Sequence, residues 1–314
     1  MPAKIVVLGA TGMLGHKMLQ KLRPHFPLVI GTMYGRRTEE PYSRIPLFDG
    51  PDIIEELDVL DWEGLSTALR NIAPDVVVNC VGIIKQREAA HEYIPSIAIN
   101  SLLPHRLAEL LAEWNGRLIH FSTDCVFSGR RGMYTETDFS DAEDLYGKSK
   151  FLGETPEKNA LTIRTSIIGR ELTNHRSLLD WFLSNKGRKV WGYRRSIWSG
   201  LTTNQLAGVV HLVIEQHPEL YGVYHVANNP ITKYDLLCLI RDAYGLEIEI
   251  ELVDGENVDR SMDGIRFQSA TGYQGPDWPK LLRDLAEDPT PYGEWLGSEQ
   301  WRLGAELLAP ETNK

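Results

Sequence analysis

The stretch "VVLGATGMLGHKM" constrains this chain more than any other. An apolar, β-branched run ends at Gly9, and Gly12 and Gly15 follow as the pattern turns helical. A glycine at the first position allows a tight turn, one at the second lets the backbone approach a pyrophosphate, and one at the third permits close packing of helix on strand. The helix N-terminus that follows favours an anion. The spacing is GxxGxxG rather than GxGxxG, which points to a variant of the dinucleotide fold. The plain alternative is a glycine-rich turn of any α/β protein, and the position directly after the first strand argues for nucleotide binding. Gly9, Thr11, Gly12, Met13, Leu14 and Gly15 are the first candidate contacts.

Downstream, short apolar runs alternate with helical patterns. "PLVIGTM", "DVVVNCVG", "RLIHFSTD" and "ALTIRTSIIG" read as strands. "MLGHKMLQKL", "SIAINSLLPHRLAELLAEW" (kinked or broken near Pro104) and "YGKSKFLGE" read as helices. Near-continuous apolar strands alternating with helices predict an α/β fold, a Rossmann-type doubly wound parallel sheet of right-handed βαβ units. The regularity weakens after about residue 170. "TTNQLAGVVHLVIEQ" reads as a helix, "GVYHVAN" as a strand, and "TKYDLLCLIRDAYG" as a helix opening on a Thr cap and closing on Gly. "EIEIELV" is strand-like. The expected division is a nucleotide domain of residues 1–170 plus about 201–230, and a smaller α/β substrate lobe from about 171–200 and 231–314.

An NAD site usually offers an acid about twenty residues past the glycines, for the ribose hydroxyls. Here "GTMYGRRTEE" brings Arg36 and Arg37 before any acid, and arginine suits a 2′-phosphate through forked hydrogen bonds. The residues favour NADP(H), with NAD(H) the alternative. In "ELDVLDW", Asp58 is expected to end the third strand beside the adenine, with Val59 next to it. A formal net charge of −10 argues against a nucleic-acid partner. No long apolar span or leader pattern is found, so no membrane partner and a cytoplasmic location are expected. Cys80, Cys125 and Cys238 form no CxxC and the histidines no ligand spacing, so no metal site is expected.

Tyr146 and Lys150 in "LYGKSKFLGE" share a helix face at i and i+4. Alone that spacing carries little. With the glycine turn, "DVVVNCVG" and "STDCVF" in this order, the chain resembles the extended short-chain dehydrogenase/reductases. Within them, "STDCVFSG", "YGKSKFLGE" and "IRTSIIG" look most like the dTDP-4-dehydrorhamnose reductases of dTDP-rhamnose biosynthesis and related sugar-nucleotide reductases. The resemblance runs from residue 4 to about 230 and continues more weakly to "DRSMDGIRFQSATGY".

The resemblance implies reduction of a nucleotide-linked keto sugar. Tyr146 would be the general acid. Lys150 would bind the nicotinamide ribose and lower the tyrosine pKa. Thr123, with Ser122 beside it, would hydrogen-bond the carbonyl, and Asn100 would serve a water-linked proton relay. Cys80, Val81, Gly82 and Ser122 would line the cofactor, and Asp124, Cys125 and Arg260 the substrate. Cys125 replaces a common aromatic residue, "DAEDLYG" lacks a frequent proline, and "NCVGIIKQ" replaces an alanine-rich turn, which leaves the fit to the sugar and the loop geometry open. "KGRKVWGYRRSIWSG" interleaves cations and aromatics without an acid, and Arg188 and Trp191 are its candidate substrate contacts. A UDP- or GDP-sugar epimerase or reductase is the near alternative. A non-catalytic nucleotide-binding protein, like the regulatory β subunit of methionine adenosyltransferase, is the distant one. A homodimer stays open.

Overall fold

A computed structural model describes residues 3–84, 92–173 and 177–296. Its centre is a seven-stranded sheet, built from β1 (Lys4–Leu8), β2 (Leu28–Thr32), β3 (Ile53–Ile54), β4 (Val76–Asn79), β5 (Arg117–Thr123), β6 (Ala160–Thr165) and β11 (Gly222–His225). All neighbours pair in parallel, in the order β11-β6-β5-β4-β1-β2-β3. Strand residues alternate between two cores. Ile5, Val7, Val78 and Ile119 face one, and Val6, Leu8, Val77 and Leu118 the other, as the period of two requires. The first face is covered by α1 (Gly15–Leu22) and α7 (Thr203–Gln216), the second by α2 (Trp62–Ile72) and α4 (Leu103–Ala112). The doubly wound sheet expected from the alternation is the one observed.

Local signals place the helix ends. The Thr202 hydroxyl accepts from Gln205 N–H to start α7, and Thr232 caps α8 (Lys233–Tyr244), which ends on left-handed Gly245. Two readings need correction. The third strand is only Ile53–Ile54, so Asp58 lies in the loop beyond it rather than at its end. The helix before β5 does not break at Pro104. A short α3 (Tyr93–Ser96) runs into a π-helical turn, Ile97–Leu102, and Pro104 sits in the first turn of α4, where its missing N–H costs nothing.

A second core gathers α6 (Leu178–Ser184), β8 (Lys189–Tyr193), α8 and α10 (Trp278–Ala286) around Phe182, Leu237 and Leu281. β8 pairs with β13 (Glu249–Val253), β7 (Ile167–Ile168) with β10 (Leu201–Thr202), and β9 (Ser196–Trp198) with both β12 (Ile231–Thr232) and β14 (Val258–Asp259). The expected lobe is not wholly separate. Phe267 of α9 (Ile265–Thr271), Tyr292, Trp295 and Leu296 pack into the core of the large sheet. Residues 297–314 of that expected lobe lie outside the described residues.

Candidate active site

The strand order reverses between β1 and β4, and an open α/β sheet forms its crevice at the carboxyl ends of such strands. A cleft of about 1310 Å³ opens there and runs to α5 (Leu145–Leu152) and on to β9. Gly9, Thr11, Gly12, Met13 and Leu14 line its near end. Gly9 holds a left-handed φ of 75°, and its carbonyl accepts from Gly12 N–H at 3.1 Å. Gly15 packs rather than lines: a β-carbon there would stand 2.0 Å from the Gly9 carbonyl oxygen. Gly15→Ala is therefore expected to push α1 off the turn, at about 1–3 kcal/mol, and to weaken dinucleotide binding. Thermal melting and NADPH fluorescence titration check this, and a wild-type result in both would show that the turn yields freely.

Asp58 and Val59 line the cleft beside Tyr34 and Tyr42, which no motif marked. Asp58 Oδ1 accepts from Leu60 N–H at 2.9 Å. Arg36 and Arg37 are not among the lining residues. Arg36 pairs with Glu56 at 2.8 Å and Arg37 with Glu55 at 2.8 Å. The two arginines expected at a 2′-phosphate stand at the surface in ion pairs, because the loop after β3 returns two acids alongside them.

Cys80, Val81 and Gly82 continue the wall, and Ser122, Thr123, Asp124 and Cys125 form the next part at the end of β5. Tyr146 and Lys150 face them from α5. Tyr146 and Thr123 line the same stretch of cleft, and Thr123 Oγ1 accepts from Cys125 N–H at 3.1 Å and donates to Asp124 Oδ1 at 3.1 Å. Close approach of helix and turn depends on the residue between the pair. A β-carbon at Gly147 would lie 2.1 Å from the Cys125 carbonyl oxygen.

Burial sets the protonation here. It pushes the Tyr146 phenol well above its ordinary value, with Thr123 opposing. Desolvation of the phenolate dominates that shift. Burial also lowers Lys150 to about 8, and Glu154 pulls it the other way. Burial raises Asp124, while Arg260 and its hydrogen bonds draw it back.

Glu154, four residues past Lys150, is a residue that motif reading missed. Both its oxygens accept from Arg164, each at 2.6 Å, and Oε1 also accepts from Ser122 Oγ at 2.7 Å. The pair is buried, with side chains 4% and 6% exposed. The i, i+4 spacing from Lys150 was the available signal. Ser122 is therefore held by Glu154 while lining the cleft.

Asn100 is buried behind the wall and is not among the residues that line it. Its Oδ1 accepts from Ile83 N–H at 2.9 Å, and its Nδ2 donates to the Ile83 carbonyl at 3.0 Å and to Ser149 Oγ at 3.1 Å. In this arrangement Asn100 ties the strand-end loop to α5, next to Lys150.

At the far end, Arg260 lines the cleft and its Nε donates to the Phe127 carbonyl at 3.0 Å. Arg188 and Trp191, expected at the substrate, do not line it. Along β8, Val190 and Gly192 turn inward while Lys189 and Trp191 face solvent, and Arg188 is exposed before the strand begins. Tyr193, Trp198 and Lys233 line the cleft instead.

The model of the RmlD substrate binding domain matches residues 3–262. The chain is 26% identical to the dTDP-4-dehydrorhamnose reductase of Aggregatibacter actinomycetemcomitans, over 73% of this chain and 86% of that one. It is also 26% identical to the methionine adenosyltransferase 2 subunit beta of Xenopus tropicalis, over 77% and 72%. Among solved structures, a dTDP-4-dehydrorhamnose reductase from Bacillus anthracis in complex with NADP superposes with a TM-score of 0.75 at 19% identity, covering 91% and 99%. With the family model spanning most of its length, the chain belongs to the RmlD substrate-binding-domain family of extended short-chain dehydrogenase/reductases.

Proposed function

We propose that this protein uses NADPH to reduce the keto group of a nucleotide-linked sugar, in its most specific form the 4-keto group of dTDP-4-dehydrorhamnose. The observation that carries the reading is the gathering of Thr123, Tyr146 and Lys150 in the same cleft as the glycine turn. The cleft fits a dinucleotide: the left-handed turn at Gly9 leaves backbone exposed at the start of α1, where an anion is favoured. Gly12, Met13, Asp58, Val81 and Gly82 would hold the cofactor, which supplies hydride when bound. NADP is the molecule carried by the Bacillus anthracis relative. Arg36 could exchange its exposed, screened partner Glu56 for a phosphate.

The chain's own residues do the rest. A phenol whose pKa burial has raised stays protonated at neutral pH, so Tyr146 holds a proton until an alkoxide forms within reach. Thr123 orients that oxygen by hydrogen bonding. Lys150 places a cation beside the ribose. Oxidation of NADPH at 340 nm with freshly made dTDP-4-dehydrorhamnose tests the reading. Turnover supports it, and saturable NADPH binding without turnover of any dTDP-, UDP- or GDP-keto sugar would replace it. The second reading, a nucleotide-binding regulatory subunit, is favoured by the methionine adenosyltransferase relative, which matches at equal identity.

One pH dependence follows. Lys150 is lowered from 10.5 to about 8, so its charge is present below that pH and lost as pH rises through it. NADPH affinity is expected to hold up to about pH 8 and then fall by up to about tenfold per unit, as one linked proton requires. Lys150→Arg should remove that alkaline limb. A wild-type affinity flat to pH 10 would take Lys150 out of cofactor binding.

A further inference from the structure

Several cations around the far end of the cleft are paired with carboxylates. Arg194 pairs with Asp254 at 2.6 Å, Lys189 pairs with Glu251 at 2.8 Å, and Arg170 pairs with Asp180 at 2.5 Å. Arg260 donates to the Phe127 carbonyl and acts on Asp124. Lys233 lines the cleft and has no carboxylate partner among the described residues. Its Nζ sits instead 5.2 Å from the centre of the Tyr193 ring and 5.8 Å from that of Trp181. Two acids, Glu171 and Glu256, line the same cleft. Glu171 accepts from Ser177 N–H at 2.8 Å.

An ammonium over aromatic faces is only partly compensated for lost hydration. Burial alone drives its pKa down, with no carboxylate to hold it up. Lys233 is also the first residue of the twelve-residue α8, whose N-terminal dipole adds positive potential. It stands with Tyr193, Ser196 and Trp198, from the lobe opposite the glycine turn, so a cofactor held at Gly9 and Gly12 leaves it to the other ligand.

We propose that Lys233 is the cation that takes the diphosphate of the nucleotide-linked substrate, an inference that rests on the sugar-nucleotide reading above. A point charge on a flexible stem between two rings suits a phosphoryl group, and Tyr193 adds a flat surface beside it. The sequence reading offered the cations of the 186–195 stretch and Arg260 to a diphosphate; of these Arg260 lines the cleft, and Arg188 is carried to solvent.

The test is calorimetric titration, with NADP⁺ saturating, of thymidine, dTMP, dTDP, UDP, GDP and ADP into wild type and Lys233→Met. The expected result is that Lys233→Met weakens the best nucleoside diphosphate by about 10- to 100-fold, the effect of one charge-assisted contact. Thymidine and NADPH affinities should stay unchanged, and Lys233→Arg should stay near wild type. If Lys233→Met also loses NADPH, Lys233→Gln carries the same comparison. Wild-type diphosphate affinity in the folded variant would overturn the role of Lys233 while leaving the substrate class intact. No binding of any diphosphate to wild type would overturn the substrate class, and this role with it.

Discussion

Tyr146→Phe is expected to reduce turnover by about 10²- to 10⁴-fold, the usual contribution of a positioned general acid, while NADPH still binds. The variant removes one oxygen and keeps the ring. The phenol lines the cleft with Thr123, and burial keeps it protonated, so the variant removes the acid at that point. Thr123→Val should cost less, because it removes an orienting hydrogen bond and keeps the proton. Single-turnover rates at saturating NADPH separate the chemical step from binding. Equal rates for Tyr146→Phe and wild type would assign the proton to another group. Equal absence of turnover in both, with NADPH bound, would favour the regulatory reading.

The second large effect concerns stability, far from the chemistry. Lys17 of α1 is 1% exposed and pairs with Asp288, 6% exposed, at 2.7 Å. Its ammonium also donates to Gln20 Oε1 at 2.9 Å and Thr290 Oγ1 at 2.7 Å. Asp288 in turn accepts from Asn204 Nδ2 at 2.5 Å and from Thr290 N–H at 3.0 Å. Nearby, His16 Nε2 meets the Tyr292 hydroxyl at 2.8 Å, and burial lowers the imidazole to about 3, so it is neutral. This cluster fastens the helix behind the glycine turn to the C-terminal segment. Asp288→Ala leaves a buried, uncompensated ammonium, at an expected cost of about 3–5 kcal/mol. Replacing both partners, Lys17→Met with Asp288→Leu, should recover most of it. Urea denaturation checks both variants, and a single variant as stable as wild type would show that the pair contributes nothing.

The same carboxylate predicts an acid limb. Asp288 is held down to about 2 by Lys17 and Thr290 against the cost of burial. A depressed carboxylate contributes fully above its ordinary range near 4 and loses that contribution as pH falls toward 2. The Asp288→Ala deficit should therefore shrink in acid.

Much of the fold was legible because its signals are local. Strand alternation, the Thr202 and Thr232 caps and the closing Gly245 each act over a few residues, and the helices stand where those signals put them. The glycine turn and the Tyr146–Lys150 spacing are local too. Strand three was misread because the apolar residues of "ELDVLDW" serve the loop and the helix core rather than a pairing edge; Leu57, Val59 and Trp62 pack against the α2 side of the sheet. The irregularity expected near Pro104 is a π turn that ends two residues earlier, at Leu102, and lets Asn100 and Ser101 both reach α5.

The sequence by itself determined the parallel sheet and the glycine turn, which follow from periodicity and short-range spacing, while the residues around Tyr146 were named by the family resemblance. Tertiary structure alone decided which charges are free to meet a ligand. Arg36 and Arg37 are neutralised by glutamates some twenty positions along the chain, and Arg194 by an aspartate sixty positions away. Glu154 is bound by an arginine on the next strand, and Lys233 is left over two rings without an acid among the described residues. Charge compensation depends on distances of a few ångströms between segments remote in sequence, and no local pattern encodes them.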